Sequence, residues 1–555
     1  MHSTFRPAVV VRRTLLPGVI ALLACLAAAF AAVPASAHDR GSSPGHRHQG
    51  QPIAFTQDGA VQGFATGGVN KFLGIPYAAP PVGSLRWHPP EPPAPWHGVR
   101  SATTLPPACP QLANSNGPRS ENEDCLYLSV YTPLDARADL GRHRGRGLPV
   151  LFWIHGGGLT TGTGNQHDGT LMATTNNIIV VSINYRLGVF GFLALPSLSA
   201  EAPDHASGDY GLLDQEAAVR WTHRNIAAFG GDPDNVTIAG ESAGAYSVCS
   251  LLTSPPVRGL FSRAVMESGS CTSTPLASAE QTGAQFADAS GCTDPATAAA
   301  CMRGQTAGEL LDNPDYPSGL SPTAGGAELP VAPAGAVASG HFDRVPLLIG
   351  TNHDEGRTFA QGFAGFTEQQ YEGVIDSSYG ANAPAVLAEY PFSSFPSPYT
   401  AAYAIGAAWT DSGFLAGIGG CAAQSQEQTF RNYTPTFAYQ FDDRNAPGLN
   451  DNVPGYMWGA GHAMELAYMW PSFDNGIPLY PQLTAAQLEL SNQMVRYWGA
   501  FARFGAPFVR GQALWPPYQS GRMLSLRQGD GSTPISDAEF GAEHNCSFWN
   551  SLPAG

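Results

Sequence analysis

One pentapeptide, Gly240-Glu241-Ser242-Ala243-Gly244, most constrains how this chain can fold. The residues before it, 235–239, are typical of a buried strand, and residues 243–253 after it are typical of a helix that ends before two prolines. A Gly-x-Ser-x-Gly sequence in that position forms a sharp turn that presents the serine hydroxyl above the end of a sheet. The pattern alone is weak in a chain with 64 glycines, so the strand and the helix around it carry the prediction.

From Pro149 onward, short apolar runs alternate with helical patterns such as Leu213–Ile226. This order predicts an α/β fold with a mostly parallel central sheet, helices on both faces, and large loop and helical insertions. In such sheets, sites form outside the carboxyl ends of the strands, which is where Ser242 lies. The predicted strands are Val150–Ile154, Ile178–Ile183, Val236–Ala239, Ala264–Met266, Leu347–Ile349 and Thr436–Phe441.

The N-terminus is typical of a targeting segment. Basic residues precede an apolar run over 15–32, and Ala35-Ser36-Ala37 forms a cleavage site, so residues 1–37 are predicted to be a signal peptide. Residues 38–50 are predicted to be a polar, solvated linker rather than a metal-binding tail, and residues 51–555 a single catalytic domain. No later stretch has the length of a membrane span, so we expect a secreted protein, with the Sec and twin-arginine routes both open.

The net charge bears on the partners of the chain, and the cysteine content bears on its disulfides. The net charge of −16 argues against nucleic acid as a partner, because nucleic-acid binding depends on basic patches. Eight of the nine cysteines remain after residue 37, and an even number in an exported chain predicts disulfides, although 105 complete pairings are possible.

A serine nucleophile needs a base, an acid that orients the base, and backbone donors for the oxyanion. The glycines of His155-Gly156-Gly157-Gly158 follow a predicted strand and, with the N–H of Ala243, are candidates for those donors. Asp354-Glu355 follows another predicted strand and supplies candidates for the acid. Of the two histidines further downstream, His462 and His544, the spacing favours His462, which lies in a glycine-rich loop.

Many sequence blocks over residues 52–550 resemble the type-B carboxylesterase/lipase family, which has the α/β-hydrolase fold and includes cholinesterases and fungal lipases. The blocks include Phe72-Leu73-Gly74-Ile75-Pro76-Tyr77-Ala78, Pro80-Pro81-Val82-Gly83, Leu85-Arg86-Trp87, Glu123-Asp124-Cys125-Leu126-Tyr127-Leu128, Asn184-Tyr185-Arg186-Leu187-Gly188, Gly211-Leu212-Leu213-Asp214-Gln215 and Phe229-Gly230-Gly231-Asp232-Pro233.

The resemblance implies that Ser242 is the nucleophile, Glu355 the acid and His462 the base. It places the oxyanion donors at Gly157, Gly158 and Ala243. Glu465 and Ser268 match positions beside the histidine and the acid. Arg86 with Glu123 and Arg186 with Asp214 match ion pairs of the scaffold.

The resemblance also implies disulfides Cys109–Cys125 and Cys292–Cys301. Cys421 and Cys546 are the third pair that we expect. For Cys249 and Cys271, a disulfide and two buried thiols both remain open.

These observations predict a secreted serine esterase that works through an acyl-enzyme and needs neither a metal nor an organic cofactor. The segment between Cys109 and Cys125 holds no aromatic residue for a choline platform and no apolar lid. We therefore expect short- to medium-chain esters as substrates, with a lipase acting on longer, lipid-like esters as the alternative. Aromatic residues in 359–366 and 456–458 are candidates for a substrate pocket or for core packing. A non-catalytic adhesion protein of the same fold is the alternative of another class, and an intact triad argues against it.

Overall fold

A computed structural model describes residues 51–114, 116–134, 136 and 147–553. The predicted signal peptide 1–37 and linker 38–50 lie outside the described residues. Within the described part, no helix is both long and apolar enough to cross a membrane.

Sixteen strands and eighteen α-helices make up the described chain. The strands are β1 Ile53–Phe55, β2 Ala60–Gln62, β3 Phe64–Thr66, β4 Val69–Pro76, β5 Val99–Ser101, β6 Tyr127–Pro133, β7 Leu148–Ile154, β8 Ile179–Ile183, β9 Gly231–Glu241, β10 Arg263–Glu267, β11 Thr274–Pro275, β12 Thr323–Ala324, β13 Leu347–Asn352, β14 Thr436–Phe441, β15 Arg522–Leu526 and β16 Thr533–Ser536. The helices are α1 Thr170–Asn176, α2 Gly188–Phe192, α3 Pro196–Glu201, α4 Tyr210–Asn225, α5 Ala243–Thr253, α6 Leu276–Ala289, α7 Ala298–Arg303, α8 Ala307–Leu311, α9 Pro333–Ala338, α10 Gly356–Ala360, α11 Glu368–Tyr379, α12 Ala383–Glu389, α13 Thr400–Ser412, α14 Gly420–Arg431, α15 Leu466–Met469, α16 Ala485–Phe504, α17 Asp537–Glu543 and α18 Cys546–Trp549.

The central sheet has eleven strands in the order β16-β15-β14-β13-β10-β9-β7-β8-β6-β4-β3. The strands from β15 to β8 pair in parallel, and antiparallel strands complete both edges. Strand β7 lies between β8 and β9, so the chain runs from β7 to β8 on one side and then crosses back to β9 on the other side of β7. A crevice at the carboxyl ends of the strands is expected at such a switch point.

The central parts of the parallel strands are mainly apolar because both faces of the sheet are covered. In β7, Val150, Phe152 and Ile154 pack into one hydrophobic core, and Leu151 and Trp153 pack into the core on the other face. Alternate side chains of a strand point to opposite faces, so one strand contributes to both cores.

The predicted fold class is confirmed. Each of the six predicted strands corresponds to a strand of the central sheet. Most of the observed strands are longer than predicted; β9, for example, begins at Gly231. The helix predicted over 213–226 is α4, which begins three residues earlier, at Tyr210. The strands in 53–133 and 522–536 were not predicted from the sequence.

Four disulfides crosslink the domain. The structure contains the three expected pairs, Cys109–Cys125, Cys292–Cys301 and Cys421–Cys546. It also pairs Cys249 in α5 with Cys271 after β10, with a Cα–Cα distance of 5.3 Å. The segment after β10 is therefore tied to the helix that follows the Gly-x-Ser-x-Gly turn.

Two internal ion pairs hold loops of the scaffold. The Arg186 guanidinium donates to both carboxylate oxygens of Asp214 at 2.7 Å, and both side chains are buried. Arg86 donates to Glu123 at 2.7 Å and to the backbone carbonyl of Gln305 at 2.7 Å. None of these four side chains lines the cavity described below, so both pairs belong to the scaffold.

Candidate active site

Ser242 occupies the turn between β9 and α5 with a backbone φ of 55° and ψ of −122°. A serine with positive φ is strained, and such strain concentrates at functional positions. The two flanking glycines are required by contact: a Cβ on Gly244 would lie 2.1 Å from the carbonyl oxygen of Ile154, and one on Gly240 would lie 2.5 Å from the carbonyl carbon of Gly244. The turn is therefore packed directly against the end of β7.

Ser242, His462 and Glu355 are joined by two hydrogen bonds. Nε2 of His462 lies 2.9 Å from Oγ of Ser242, and Nδ1 of His462 lies 2.7 Å from Oε2 of Glu355. Glu355 follows β13, and His462 lies in the segment between β14 and α15. Three chain segments, spread over 220 residues, thus meet at the carboxyl edge of the sheet.

The second carboxylate oxygen of Glu355 is hydrogen-bonded by residues at the end of β13, the strand that precedes Glu355. Oε1 accepts hydrogen bonds from the hydroxyl of Thr351 at 2.8 Å and from the backbone N–H of Asn352 at 2.7 Å. Burial alone would raise the pKa of Glu355, but the charge and hydrogen bond of His462, together with the hydrogen bond from the backbone of Asn352, outweigh burial and lower the pKa. The ionised carboxylate is therefore the favoured form, and it fixes the orientation of the imidazole.

Two further carboxyl groups surround His462. Oε1 of Glu241 lies 3.3 Å from Nε2 of His462. Glu465 accepts a hydrogen bond from the amide of Asn352, which also donates to the carbonyl of Gly461 at 2.8 Å. Burial lowers the pKa of His462, but the charges of Glu241 and Glu355 outweigh burial and raise it. Burial raises the pKa of Glu241 and that of Glu465, the latter to about 7.

Asp354, the other candidate acid, has a different role. Its Oδ2 accepts the backbone N–H of Ala460 at 3.0 Å, and its own N–H donates to the carbonyl of Ala460 at 2.8 Å. Arg444 donates to both of its oxygens, at 3.0 and 2.8 Å. Asp354 therefore anchors the loop that carries His462.

The Gly156–Gly158 segment lies beside Ser242. Gly157 and Gly158 have positive φ values of 103° and 62°, and both line the same cavity as Ser242 and His462. Their backbone N–H groups donate to no other residue in the described part of the chain. The N–H of Ala243 is the first of α5, where backbone donors have no partner within the helix.

His544, the alternative base, is not near Ser242. Its Nδ1 lies 2.8 Å from Asp411 and its Nε2 lies 2.9 Å from the side-chain oxygen of Gln440. Both ring nitrogens of His544 therefore have hydrogen-bond partners inside the fold. No group of three His, Cys, Asp or Glu side chains in the described ranges is arranged to hold a metal ion.

A cavity of about 1160 Å³ opens above Ser242. Its lining, as far as the chain is described, contains Glu241 as its only carboxylate and contains neither lysine nor arginine. Phe359 and Trp458 line it, as the sequence suggested, whereas Phe363 and Phe366 line a separate groove and Tyr456 packs into the core. The sequence analysis did not single out other lining residues, among them Phe414, Phe473, Tyr246 and Thr272.

Comparison with known proteins gives a consistent result. Residues 50–549 match the profile of the carboxylesterase family. The chain is 36% identical over 502 residues to acylcarnitine hydrolase of Mus musculus, covering 84% of this chain and 86% of that protein. It is 35% identical over 486 residues to para-nitrobenzyl esterase of Bacillus subtilis (strain 168), covering 84% and 92%.

Solved structures agree with these sequence matches. A thermophilic PNB esterase superposes with a TM-score of 0.72 at 30% identity, over 89% of this chain and all of that one. A second PNB esterase structure superposes with a TM-score of 0.70 at 32% identity. These enzymes have the α/β-hydrolase fold, and the chain described here shares it.

Proposed function

The chain belongs to the carboxylesterase family, and we propose that Ser242, His462 and Glu355 are the catalytic triad with which it hydrolyses carboxylic esters. The observation that carries the proposal is the pair of hydrogen bonds, 2.9 Å and 2.7 Å, that connects the buried Glu355 through His462 to Ser242, and Ser242 and His462 line the cavity. A serine hydroxyl, a histidine and a buried carboxylate in this order are the parts that acyl transfer requires.

In the proposed acylation step, Nε2 of His462 accepts the proton of Ser242 as Oγ attacks the ester carbonyl. The N–H groups of Gly157, Gly158 and Ala243 are proposed to hold the resulting oxyanion. The carboxylate of Glu355 stabilises the imidazolium. His462 then donates its proton to the leaving alcohol, which leaves an acyl group on Ser242.

In the proposed deacylation step, water takes the place of the alcohol. His462 accepts a proton from the water, which attacks the acyl-enzyme, and the same backbone donors hold the second oxyanion. Collapse of this intermediate returns the proton to Oγ of Ser242 and releases the carboxylic acid. The hydrogen bond between Nδ1 of His462 and Glu355 keeps Nε2 facing Ser242 in both steps.

Replacement of Ser242 by alanine tests the nucleophile. We expect Ser242→Ala to lower kcat for p-nitrophenyl butyrate by roughly 10⁴- to 10⁶-fold and to abolish labelling by a fluorophosphonate probe. Ser250→Ala is the matched control because Ser250 lies on the same helix and its hydroxyl bonds only the carbonyl of Tyr246. Labelling of Ser242→Ala would contradict the proposal, and folded wild-type protein that is never labelled would favour the adhesion alternative.

We propose short- to medium-chain esters as substrates. Residues 110–124 form no helix in the part that is described, so this segment supplies no helical lid. Rates with p-nitrophenyl esters from acetate to palmitate test the proposal. A maximum between two and eight carbons is expected, and a maximum at sixteen would instead support the lipase alternative.

We also propose that the protein is secreted. The N-terminal pattern over residues 1–37 and the four disulfides support this, because disulfides persist in oxidising compartments. Expression of the full chain followed by N-terminal sequencing of protein from the medium should give a first residue of His38. Retention of the intact chain in the cells would contradict the proposal.

A further inference from the structure

Tyr246 lines the substrate cavity, and its phenol has no hydrogen-bond partner in the part of the chain that the structure describes. It lies one helical turn after Ser242 on α5, and its backbone N–H donates to the carbonyl of Ser242 at 3.1 Å. The side chain is partly buried and lines the cavity, and its hydroxyl makes no hydrogen bond with any residue that the structure describes. A phenol in such a position usually finds a partner.

A second free hydroxyl lies on the neighbouring segment. Thr272 follows β10 and also lines the cavity, and its hydroxyl likewise has no hydrogen-bond partner in the described ranges. The Cys249–Cys271 disulfide connects the two segments that carry these residues: Cys249 is three residues after Tyr246 on the same helix, and Cys271 directly precedes Thr272. A Cβ on Gly269 would lie 2.3 Å from that of Ala245, so this segment runs in contact with α5.

The surroundings decide which chemical group fits. The hydroxyls of Thr274 and Ser321, 2.7 Å apart, also line the cavity and add polar surface without charge. An anionic group would meet the carboxyl of Glu241 and would find no lysine or arginine among the described lining residues. Burial raises the pKa of Tyr246 above its ordinary value, so the phenol remains a proton donor.

We propose that Tyr246 and Thr272 form a hydroxyl subsite that binds a free hydroxyl group of the substrate, close to the scissile ester. The inference rests on the proposed triad and narrows its substrate to esters that carry a hydroxyl on the acyl or the alcohol part. Each protein hydroxyl both donates and accepts, so a substrate hydroxyl can be satisfied in both roles. A site built to hydrogen-bond a substrate hydroxyl discriminates against the analogue that lacks it.

Two pairs of substrates distinguish the two locations of the hydroxyl. p-Nitrophenyl 3-hydroxybutyrate and p-nitrophenyl butyrate differ in the acyl part, and 2-hydroxyethyl butyrate and propyl butyrate differ in the alcohol part. The quantity measured in each pair is kcat/KM for the hydroxylated ester divided by kcat/KM for the ester that lacks the hydroxyl. We expect Tyr246→Phe and Thr272→Val each to lower this ratio in one pair by about tenfold relative to the wild type, the effect of one neutral hydrogen bond.

Tyr433→Phe is the control, because the Tyr433 hydroxyl donates to the carbonyl of Ala338 away from the cavity, and it should leave both ratios unchanged. Fluorophosphonate labelling gives the concentration of active sites, so loss of folded protein does not mimic the effect. Unchanged ratios in both pairs for both variants, with the deoxy esters still hydrolysed, would overturn the subsite alone. Absence of both hydrolysis and labelling in the wild type would instead overturn the triad proposal on which it rests.

Discussion

The imidazole of His462 lies between two carboxyl groups that act on it differently. Glu355 contacts Nδ1 at 2.7 Å, while Glu241 lies 3.3 Å from Nε2, the nitrogen that faces Ser242. Both raise the pKa of His462 above its ordinary value, against the effect of burial. A protonated His462 cannot accept the proton of Ser242, so the charge around the site sets the lower pH limit of the proposed reaction.

Replacement of the carboxyl group of residue 241 by an amide should therefore shift the pH profile of kcat/KM. As pH falls through the pKa of His462, the neutral base is lost and kcat/KM declines. Glu241→Gln removes a carboxyl that favours the imidazolium, so we expect the acid limb of the kcat/KM profile to move to lower pH. Glu427→Gln, which replaces the carboxyl of a buried glutamate on α14 by an amide, is the control. An acid limb that is the same in Glu241→Gln and wild type would contradict this account.

Substitution of Gly157 tests the proposed oxyanion donors. Its φ of 103° suits glycine, and a Cβ there would lie 2.2 Å from the carbonyl oxygen of Thr161. Gly157→Ala must therefore displace its own N–H, and we expect kcat for p-nitrophenyl butyrate to fall by about 10²- to 10³-fold. Gly362→Ala, where a Cβ meets open space, should retain wild-type turnover. Turnover of Gly157→Ala within threefold of wild type would rule out a role for this donor.

At the scale of elements, the sequence predicted the strands that are buried on both faces. Strands β7, β8 and β14 are apolar runs because cores cover both sides of the sheet, and such runs are visible without a structure. The outer strands β4 and β16 carry polar residues and proline, so their sequences resemble loops. β16 pairs with β15, and β4 pairs with β3 and β6. Strand preference depends on the packing of side chains against these neighbours, which the local sequence pattern does not reveal.

The same limit applies to the candidate acid. Asp354 and Glu355 both follow β13, and spacing alone does not separate them. The resemblance selected Glu355, and the structure gives the physical difference: Glu355 contacts His462, whereas Asp354 contacts Arg444 and Ala460. The hydroxyl subsite was beyond sequence analysis because it depends on the contact between α5 and the segment after β10.

The ion pair between Arg186 and Asp214 anchors the segment after β8 to α4. Both side chains are buried, so Asp214→Asn leaves a guanidinium without its counter-charge in the interior. We expect the free energy of unfolding in urea to fall by about 3–5 kcal/mol. Asp312→Asn breaks the exposed pair with Arg119 and should leave the unfolding midpoint unchanged. Equal midpoints for both variants would contradict a stabilising role for the buried pair.

At the scale of the whole molecule, the four disulfides constrain the unfolded chain to different extents. Cys421 and Cys546 are 125 residues apart, whereas Cys292 and Cys301 are 9 apart. A crosslink that closes a longer loop removes more conformational entropy from the unfolded state. The long crosslink also joins α14 to α18, so it holds the C-terminal helices against the body of the domain.

The two crosslinks should therefore differ in their effect on stability. From loop entropy, removal of Cys421–Cys546 by a double alanine substitution should cost about 5 kcal/mol, and removal of Cys292–Cys301 about 2.5 kcal/mol. Urea unfolding of the two double variants, followed by tryptophan fluorescence, measures the difference. Free-thiol titration of each unfolded variant confirms that the other disulfides remain closed. A larger loss of stability in the Cys292/Cys301 variant would show that native packing around α7, rather than loop entropy, determines the contribution of these crosslinks.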